Sequence, residues 1–233
     1  MSERWSIFRP RACSGDMYTG VPTRAPVMVR RDMTLPPATE DEILGTIKVM
    51  GGEDWELWLK ALADADLLAD GFQTVAYTYL GEKITWPIYG KATIGKAKED
   101  LDRAAKAISA ANSEQNGKAY VAVLKALVTQ ASSAIPIMPL YISLLYKVMK
   151  EEGTHEGCIE QLYRLFTEGL YTDNPRLDDH QRLRMDNLEL DPEIQAKVEK
   201  LWPQVTEENL FELTDYKGYN AEFLKLFGFG VAG

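Results

Sequence analysis

The chain has 233 residues, of which 45% are hydrophobic and 26% are charged, so it can bury the core of one large domain or of a domain with an appendage. Its 35 acidic residues outnumber the 26 basic ones, and the formal charge of −9 argues against binding to nucleic acids or to anionic membranes. The two cysteines, Cys13 and Cys158, are too few for a disulfide scaffold and favour a reduced, cytoplasmic compartment.

The N-terminal segment, residues 1–38, mixes Arg, Pro, Gly and Met without helical or strand periodicity, which predicts irregular chain. Helical structure is expected to begin after Thr39, which forms a capping box with Glu42. A second helix is expected to begin near Glu53, after two glycines. Its predicted buried residues are Trp55, Leu57, Trp58, Leu59, Leu62 and Leu67.

The middle of the chain has the pattern of a parallel βαβ unit. Residues 72–80 are rich in β-branched and aromatic residues, residues 93–112 have helical spacing, and residues 119–129 form a nearly continuous apolar run. The predicted fold class is therefore α/β, with a parallel sheet that is covered on both faces. Because such sheets bind ligands at the carboxyl ends of their strands, Tyr79 and Thr129 are expected near the functional site.

Residues 126–146 carry no charge and are long enough to cross a bilayer, but polar residues and two prolines interrupt them. We therefore predict a buried strand end, a polar loop and a core helix near residues 136–151, and no membrane span. Further helices are expected near 155–170, after Asp191 and near 220–227, with an exposed charged stretch over 173–184.

One tyrosine and one lysine are candidates for acid–base chemistry. Tyr89 lies just before the predicted helix over 93–112, and Lys98 lies inside that helix. A tyrosine is a proton donor at neutral pH, and a nearby cation stabilises the phenolate that remains after donation. The pair suits protonation of an enolate after hydride delivery. The spacing alone favours the simpler alternative, in which Tyr89 is a half-buried aromatic residue and Lys98 is a solvated helix lysine.

The sequence around this pair resembles the NADH-dependent trans-2-enoyl-CoA and enoyl-acyl-carrier-protein reductases, which are large relatives of the short-chain dehydrogenases. Tyr89 and Lys98, with eight residues between them, match the Tyr-(x)8-Lys motif of this family. The resemblance covers about residues 38–229. Its main segments are 49–55, 77–81, 88–89, 93–98, 128–132, 139–143, 155–161, 201–205 and 208–216.

The resemblance implies reduction of the C2=C3 double bond of trans-2-enoyl thioesters, carried by CoA or by acyl-carrier protein, with NADH in fatty-acid biosynthesis. It implies that Tyr89 is the catalytic acid, that Tyr79 donates a hydrogen bond to the thioester oxygen, and that Lys98 holds the cofactor and supports Tyr89. It further implies that Thr129 and Gln130 lie beside the nicotinamide.

The resemblance divides the chain into an N-terminal segment (1–38), a catalytic region (39–172) and a helical C-terminal region (173–233). The fold it implies is the C-terminal part of a Rossmann-like sheet with extra helices. The family's nomenclature calls the C-terminal region FAD-binding, although its residues do not by themselves specify a flavin.

The family's members are longer, and the part without a counterpart here is the N-terminal half with the glycine-rich turn that seats NADH. The alternative function is therefore a non-catalytic remnant that keeps the substrate side but cannot bind NADH by itself. We expect no metal, because His155, Glu156 and Cys158 lack a complete ligand pattern. The oligomeric state is open, with a monomer favoured.

Overall fold

In the computed structural model, the described part of the chain comprises residues 3–11, 27–35, 37–135 and 137–230. The strands are β1 (Glu3–Arg11), β2 (Val27–Leu35), β3 (Gln73–Thr78), β4 (Lys118–Val123) and β5 (Leu183–Arg184). The α-helices are α1 (Glu40–Met50), α2 (Glu53–Asp64), α3 (Trp86–Tyr89), α4 (Thr93–Ala111), α5 (Gln130–Ala134), α6 (Met138–Glu151), α7 (Cys158–Arg164), α8 (Pro192–Leu201), α9 (Leu210–Leu213) and α10 (Tyr216–Lys225). A π-helical turn, Leu165–Leu170, follows α7.

The chain forms two compact units that are interleaved along the sequence. The first unit contains the described residues of Met1–Pro37, together with Ala126–Cys158 and Leu188–Gly233. The second contains Ala38–Lys125 and Ile159–Asn187. The predicted boundary between residues 172 and 173 divides the sequence into consecutive regions, whereas the compact units consist of separate stretches of sequence. It stays a prediction.

The second unit contains the predicted βαβ arrangement. Strands β3 and β4 are parallel, in register from Gln73 opposite Lys118 to Thr78 opposite Val123, and α4 connects them. Strand β5 adds to the other side of β4, also in parallel. The α/β fold class with a parallel sheet is thus confirmed, and the strands end at a common edge.

Strand β4 is buried on both faces, as its apolar sequence predicts. On one face Ala119 and Val121 join a core cluster with α2 and α4 that includes Leu59. On the other face Ala122 joins a cluster with Leu183 and others. The burial of Leu183 shows that the charged stretch over 173–184, which the sequence predicted to be exposed, ends in a core strand.

The first two helices begin where predicted, but α2 ends at Asp64, before the predicted helix position Leu67, and the predicted burial is not found. Thr39 and Glu42 form both hydrogen bonds of the capping box. In α2, Leu59 is buried, whereas Leu57 and Trp58 are 57% and 68% exposed. The prediction that these two residues are buried was therefore wrong, as it was for the exposed Leu67. A helix buries only the side that faces its neighbour, and here Leu59 is on that side.

In the first unit, α6 is the core helix that the sequence predicted. Almost all of its residues are buried, and α8 and α10 pack against it. Among the described helices, none combines the length and the apolar character that a membrane crossing needs.

The N-terminal segment differs from the predicted irregular chain. In its described residues, β1 and β2 pair antiparallel, from Glu3 opposite Leu35 to Arg11 opposite Val27. Backbone hydrogen bonds hold such a pair, so it can form without the alternation of apolar residues on which the prediction was based. The prediction for residues 1–2, 12–26 and 36 lies outside the described residues.

Candidate active site

The candidate site lies at the carboxyl end of β3, within the second unit. Thr78 is the last residue of the strand and Tyr79 follows it. Gly81 has a φ of +68°, a left-handed conformation that glycine adopts without strain. A Cβ atom at Gly81 would overlap Thr85 Oγ1 and would lie 2.8 Å from Tyr79 Oη. The turn is therefore built closely around the Tyr79 hydroxyl.

Tyr89, the last residue of α3, is buried against Tyr79. The two rings meet edge to face, with centroids 4.7 Å apart and planes at 86°. Two glycines allow close packing next to Tyr89: a Cβ atom at Gly90 would overlap the Trp86 ring, and one at Gly95 would overlap the Gly90 carbonyl oxygen. Helix α3 and the first turn of α4 can therefore pack backbone to backbone.

Lys98 extends from α4 to the same place. Its Nζ donates a hydrogen bond to Thr78 Oγ1 at 2.7 Å and lies 5.4 Å from the centroid of the Tyr89 ring. Burial lowers the pKa of the Lys98 ammonium from 10.5 to about 8, while the charge of Asp102 raises it and that of Arg182 lowers it. Lys98 is therefore not the solvated surface lysine of the alternative reading, and it still carries a charge at neutral pH.

Arg182 belongs to an ion-pair network beside Lys98. Its guanidinium lies 2.9 Å from Asp178 and 3.5 Å from Asp102, and all three side chains are mostly buried. Arg184, two residues further along, pairs with Asp186 at 2.7 Å. The network thus adds partly buried charges close to the site, where the sequence predicted only an exposed surface.

Thr129 and Gln130 lie in the first unit, at the start of α5. Thr129 Oγ1 accepts a hydrogen bond from the Ser132 backbone N–H at 3.0 Å, and the Thr129 N–H donates to Ser132 Oγ at 3.0 Å. Gln130 is exposed. Thr129 is therefore a helix cap, with its hydroxyl oxygen engaged by the Ser132 backbone N–H.

The structure thus brings Tyr79, Tyr89 and Lys98 together, and their catalytic roles stay predictions. Sequence reasoning missed two residues, Thr78 and Thr85, whose hydroxyls contact Lys98 and Tyr79. A signal for Thr85 was present, because it precedes a Trp-Pro pair that starts a helix. Among the described residues, no group of three or more His, Cys, Asp or Glu side chains could hold a metal ion.

Comparison with known proteins identifies two families along the chain. The family described as "Trans-2-enoyl-CoA reductase catalytic region" matches residues 14–171, and "Enoyl reductase FAD binding domain" matches residues 177–233. The first match begins well before residue 38 and so includes part of the N-terminal segment, which lay outside the resemblance found in the sequence.

Relatives of the whole chain agree with this assignment. The enoyl-acyl-carrier-protein reductase (NADH) of Saccharophagus degradans is 71% identical over 228 residues, which are 98% of this chain and 57% of that protein. The corresponding protein of Teredinibacter turnerae is 68% identical over the same shares. The chain therefore spans little more than half the length of these curated relatives.

A solved structure of Treponema denticola trans-2-enoyl-CoA reductase in complex with NAD is also similar. It has a TM-score of 0.85 at 41% identity, and the match covers 99% of this chain and 55% of that one. Together, the Tyr–Lys cluster, the family match over more than half of the residues and the identity to these relatives lead to one assignment. The chain belongs to the trans-2-enoyl-CoA reductase family.

Proposed function

We propose that the chain carries the acid–base groups for NADH-dependent reduction of the C2=C3 double bond of trans-2-enoyl thioesters. One observation carries the proposal: Tyr79, Tyr89 and Lys98 form a single cluster at the carboxyl edge of the sheet. The names of the relatives, which reduce enoyl groups with NADH, support it.

In this proposal Tyr89 is the acid. Its phenol supplies the proton that the reduced substrate needs, and the adjacent Lys98 ammonium stabilises the negative charge left on the ring oxygen. The distance of 5.4 Å from Nζ to the ring centroid is within the range in which a cation and an aromatic ring attract each other. Lys98 is itself held in place by Thr78.

Tyr79 is proposed to donate a hydrogen bond to the thioester oxygen. Negative charge builds up on that oxygen when a hydride reaches the β-carbon, and a fixed phenol lowers the energy of this state. The edge-to-face contact with Tyr89 supports a role in which the two hydroxyls act on one substrate.

Lys98, in the second unit, is proposed to hold the nicotinamide end of NADH, which would supply the hydride when bound. An ammonium group has three N–H donors, and one of those of Lys98 goes to Thr78, which leaves donors for ribose hydroxyls. Thr129, in the first unit, is proposed from the family resemblance to orient the carboxamide, and its Oγ1 accepts a hydrogen bond from the Ser132 backbone N–H. Gln130 is proposed as its neighbour in this role.

The described residues do not by themselves specify a flavin. Within 177–230, Arg182 and Arg184, whose charges would suit a diphosphate, are already paired with aspartates. We therefore assign no step to FAD.

The proposed compartment is the cytoplasm, the proposed oligomeric state is a monomer, and CoA and acyl-carrier protein are both proposed as thioester carriers.

The test is NADH oxidation with crotonyl-CoA, followed by absorbance. We expect Tyr89→Phe to lower kcat/KM by about 100-fold or more, because a general acid contributes about that much. Tyr163→Phe is the matched control, because Tyr163 is 71% exposed and remote in sequence from the cluster. An unchanged rate for Tyr89→Phe, with the active wild-type chain, would refute the assigned role.

A second candidate is a chain that keeps the substrate side without binding NADH by itself. It is favoured by the 57% coverage of the relatives and by the lack, among the described residues, of a strand that leads through a glycine-rich turn into a helix. A fluorescence titration with NADH separates the two: saturable binding by the folded chain excludes this candidate, and its absence supports it.

A further inference from the structure

A threonine at the end of β3 receives the ammonium group of Lys98. Lys98 Nζ donates a hydrogen bond to Thr78 Oγ1 at 2.7 Å, and the direction of this bond is fixed because an ammonium group has three donors and no acceptor. Between described residues, no other hydrogen bond involves the Lys98 ammonium. The Thr78 hydroxyl therefore determines where the end of a long, flexible side chain lies.

Thr78 is itself held by the sheet. It lies opposite Val123 in the parallel pairing of β3 with β4, and its carbonyl accepts a hydrogen bond from the Leu124 N–H at 2.9 Å. The side chain of threonine is β-branched, so few rotamers are open to it. The hydroxyl oxygen thus occupies a defined point from which it can position the ammonium group.

The charged groups around Lys98 come from three elements. Burial lowers the pKa of Lys98 to about 8, the charge of Asp102 on α4 raises it, and the charge of Arg182, just before β5, lowers it. Arg182 pairs with Asp102 at 3.5 Å and with Asp178 at 2.9 Å. Tyr89 on α3 presents its ring, whose centroid is 5.4 Å from Nζ. Among these neighbours, Thr78 is the direct hydrogen-bond partner.

We propose that Thr78 is a positioning residue of this site, whose hydroxyl oxygen holds the Lys98 ammonium beside Tyr89, where its charge stabilises the phenolate that remains after proton transfer. The inference rests on the proposed function of Tyr89 and Lys98. Thr78 acts through Lys98 and not on the substrate. Because an accepted hydrogen bond favours the charged form of an ammonium group, Thr78 also helps to keep Lys98 protonated.

The experiment uses variants on one face of one strand. Thr78→Val keeps the shape and the β-branched side chain but removes the acceptor, whereas Thr78→Ser keeps the acceptor. Thr74→Val is the matched control, because Thr74 lies four residues earlier in β3 and therefore on the same face. Its Oγ1 also accepts a hydrogen bond from a side chain, that of Trp55 Nε1 at 2.9 Å.

The first readout is the titration of Lys98, which needs no turnover. In protein labelled with carbon-13 at the lysine Cε, the Lys98 resonance is the one that Lys98→Met removes, and exposed lysines titrate at higher pH, near about 10.4. We expect Thr78→Val to lower the pKa of Lys98 by about one pH unit, the effect of one lost hydrogen bond. Thr78→Ser should restore the wild-type titration, and Thr74→Val should leave it unchanged.

The second readout is the pH dependence of kcat for crotonyl-CoA reduction. If the ammonium group stabilises the phenolate, kcat falls as Lys98 loses its proton, so Thr78→Val should move this alkaline fall about one pH unit lower. Thr78→Ser should return the fall to its wild-type position. A loss of structure alone would lower kcat at every pH without moving the fall.

The outcomes separate the inference from the proposed function. A Lys98 titration that is the same in wild type and Thr78→Val overturns the inference, whatever the activity, and so does an equal shift in Thr74→Val. A shifted titration with an unmoved pH dependence of kcat overturns the positioning role while leaving the contact in place. If the wild-type chain does not turn over, the proposed function fails, and the titration alone decides whether Thr78 holds the Lys98 ammonium.

Discussion

Lys98 keeps an ammonium group in surroundings that disfavour its charge. Burial lowers its pKa to about 8, against 10.5 for an exposed lysine. The unfolded chain therefore binds more protons than the folded chain between these two pH values, so the free energy of unfolding should rise with pH across this window. The contribution is at most about 1.4 kcal/mol per pH unit.

Lys98→Met removes this dependence while keeping much of the side chain. We expect the stability of wild type relative to Lys98→Met, measured by urea unfolding, to increase between about pH 8 and about pH 10.5. Lys91→Met, at an exposed position, should show a much smaller trend. A difference between wild type and Lys98→Met that stays constant with pH would contradict the buried ammonium.

Gly81 has both a left-handed backbone conformation and no space for a side chain, whereas Gly71 has only the first of these constraints. Gly71 has a φ of +71° but no atom within 4 Å of the position that an added Cβ would take, whereas Gly81 has the same backbone conformation and Thr85 in the way. We expect Gly71→Ala to cost about 1–2 kcal/mol from backbone strain and Gly81→Ala about 2–5 kcal/mol, because overpacking is added. Equal costs in urea unfolding would show that the turn around Tyr79 is looser than described.

At the scale of single elements, helix α2 presents two nearby leucines with opposite surroundings. Leu59 is buried in a cluster with α4 and β4, while Leu57 is mostly exposed. Leu59→Ala should therefore cost about 2–5 kcal/mol, and Leu57→Ala should change stability by less than about 0.5 kcal/mol. Thermal or urea unfolding distinguishes the two, and similar losses would mean that the helix is rotated from the described orientation.

The regular elements of the second unit could be predicted because local signals and packing agree there. Strand β3, helix α4 and strand β4 have the periodicities of their types, and their parallel pairing follows from the connection. The exposure of Leu57 and Trp58 could not be predicted, because an apolar helix sequence does not specify which side meets a neighbour. The β1–β2 pair was missed because backbone pairing leaves little trace in the sequence.

The site, too, could be predicted only in part, because some of its contacts join residues that the sequence pattern does not connect. Tyr89 and Lys98 were identified from spacing and resemblance, and Tyr79 from the strand end. Thr85 and Arg182 were not identified, because their importance comes from contacts made across the folded unit, with Tyr79 and Asp102. A residue type alone does not reveal such contacts.

At the scale of the molecule, each compact unit is assembled from separate stretches of sequence. The second unit needs Ile159–Asn187 to complete what Ala38–Lys125 begins. In particular, Leu183 and Met185 join Ala122 and Leu165 in one core cluster. The units of the structure are therefore not consecutive segments.

A chain shortened after residue 172, the predicted domain boundary, tests this arrangement. It lacks β5 with Leu183 and Met185 from the second unit, and α8 and α10, which pack on α6, from the first. We expect it to lose the near-ultraviolet circular dichroism and the cooperative urea transition of the full chain. Native-like spectra would instead show that residues 1–172 fold without the C-terminal region.

The interleaving also bears on how the protein is made. During synthesis from the amino terminus, β4 leaves the ribosome some sixty residues before Leu183. Leu183 lies in β5, the strand that pairs with β4. Until Leu183 emerges, the face of β4 on which Ala122 lies is not covered by the Leu183 side chain. A nascent chain that includes β4 but not yet β5 exposes this apolar surface. We therefore expect chaperone binding to be strongest just before β5 emerges.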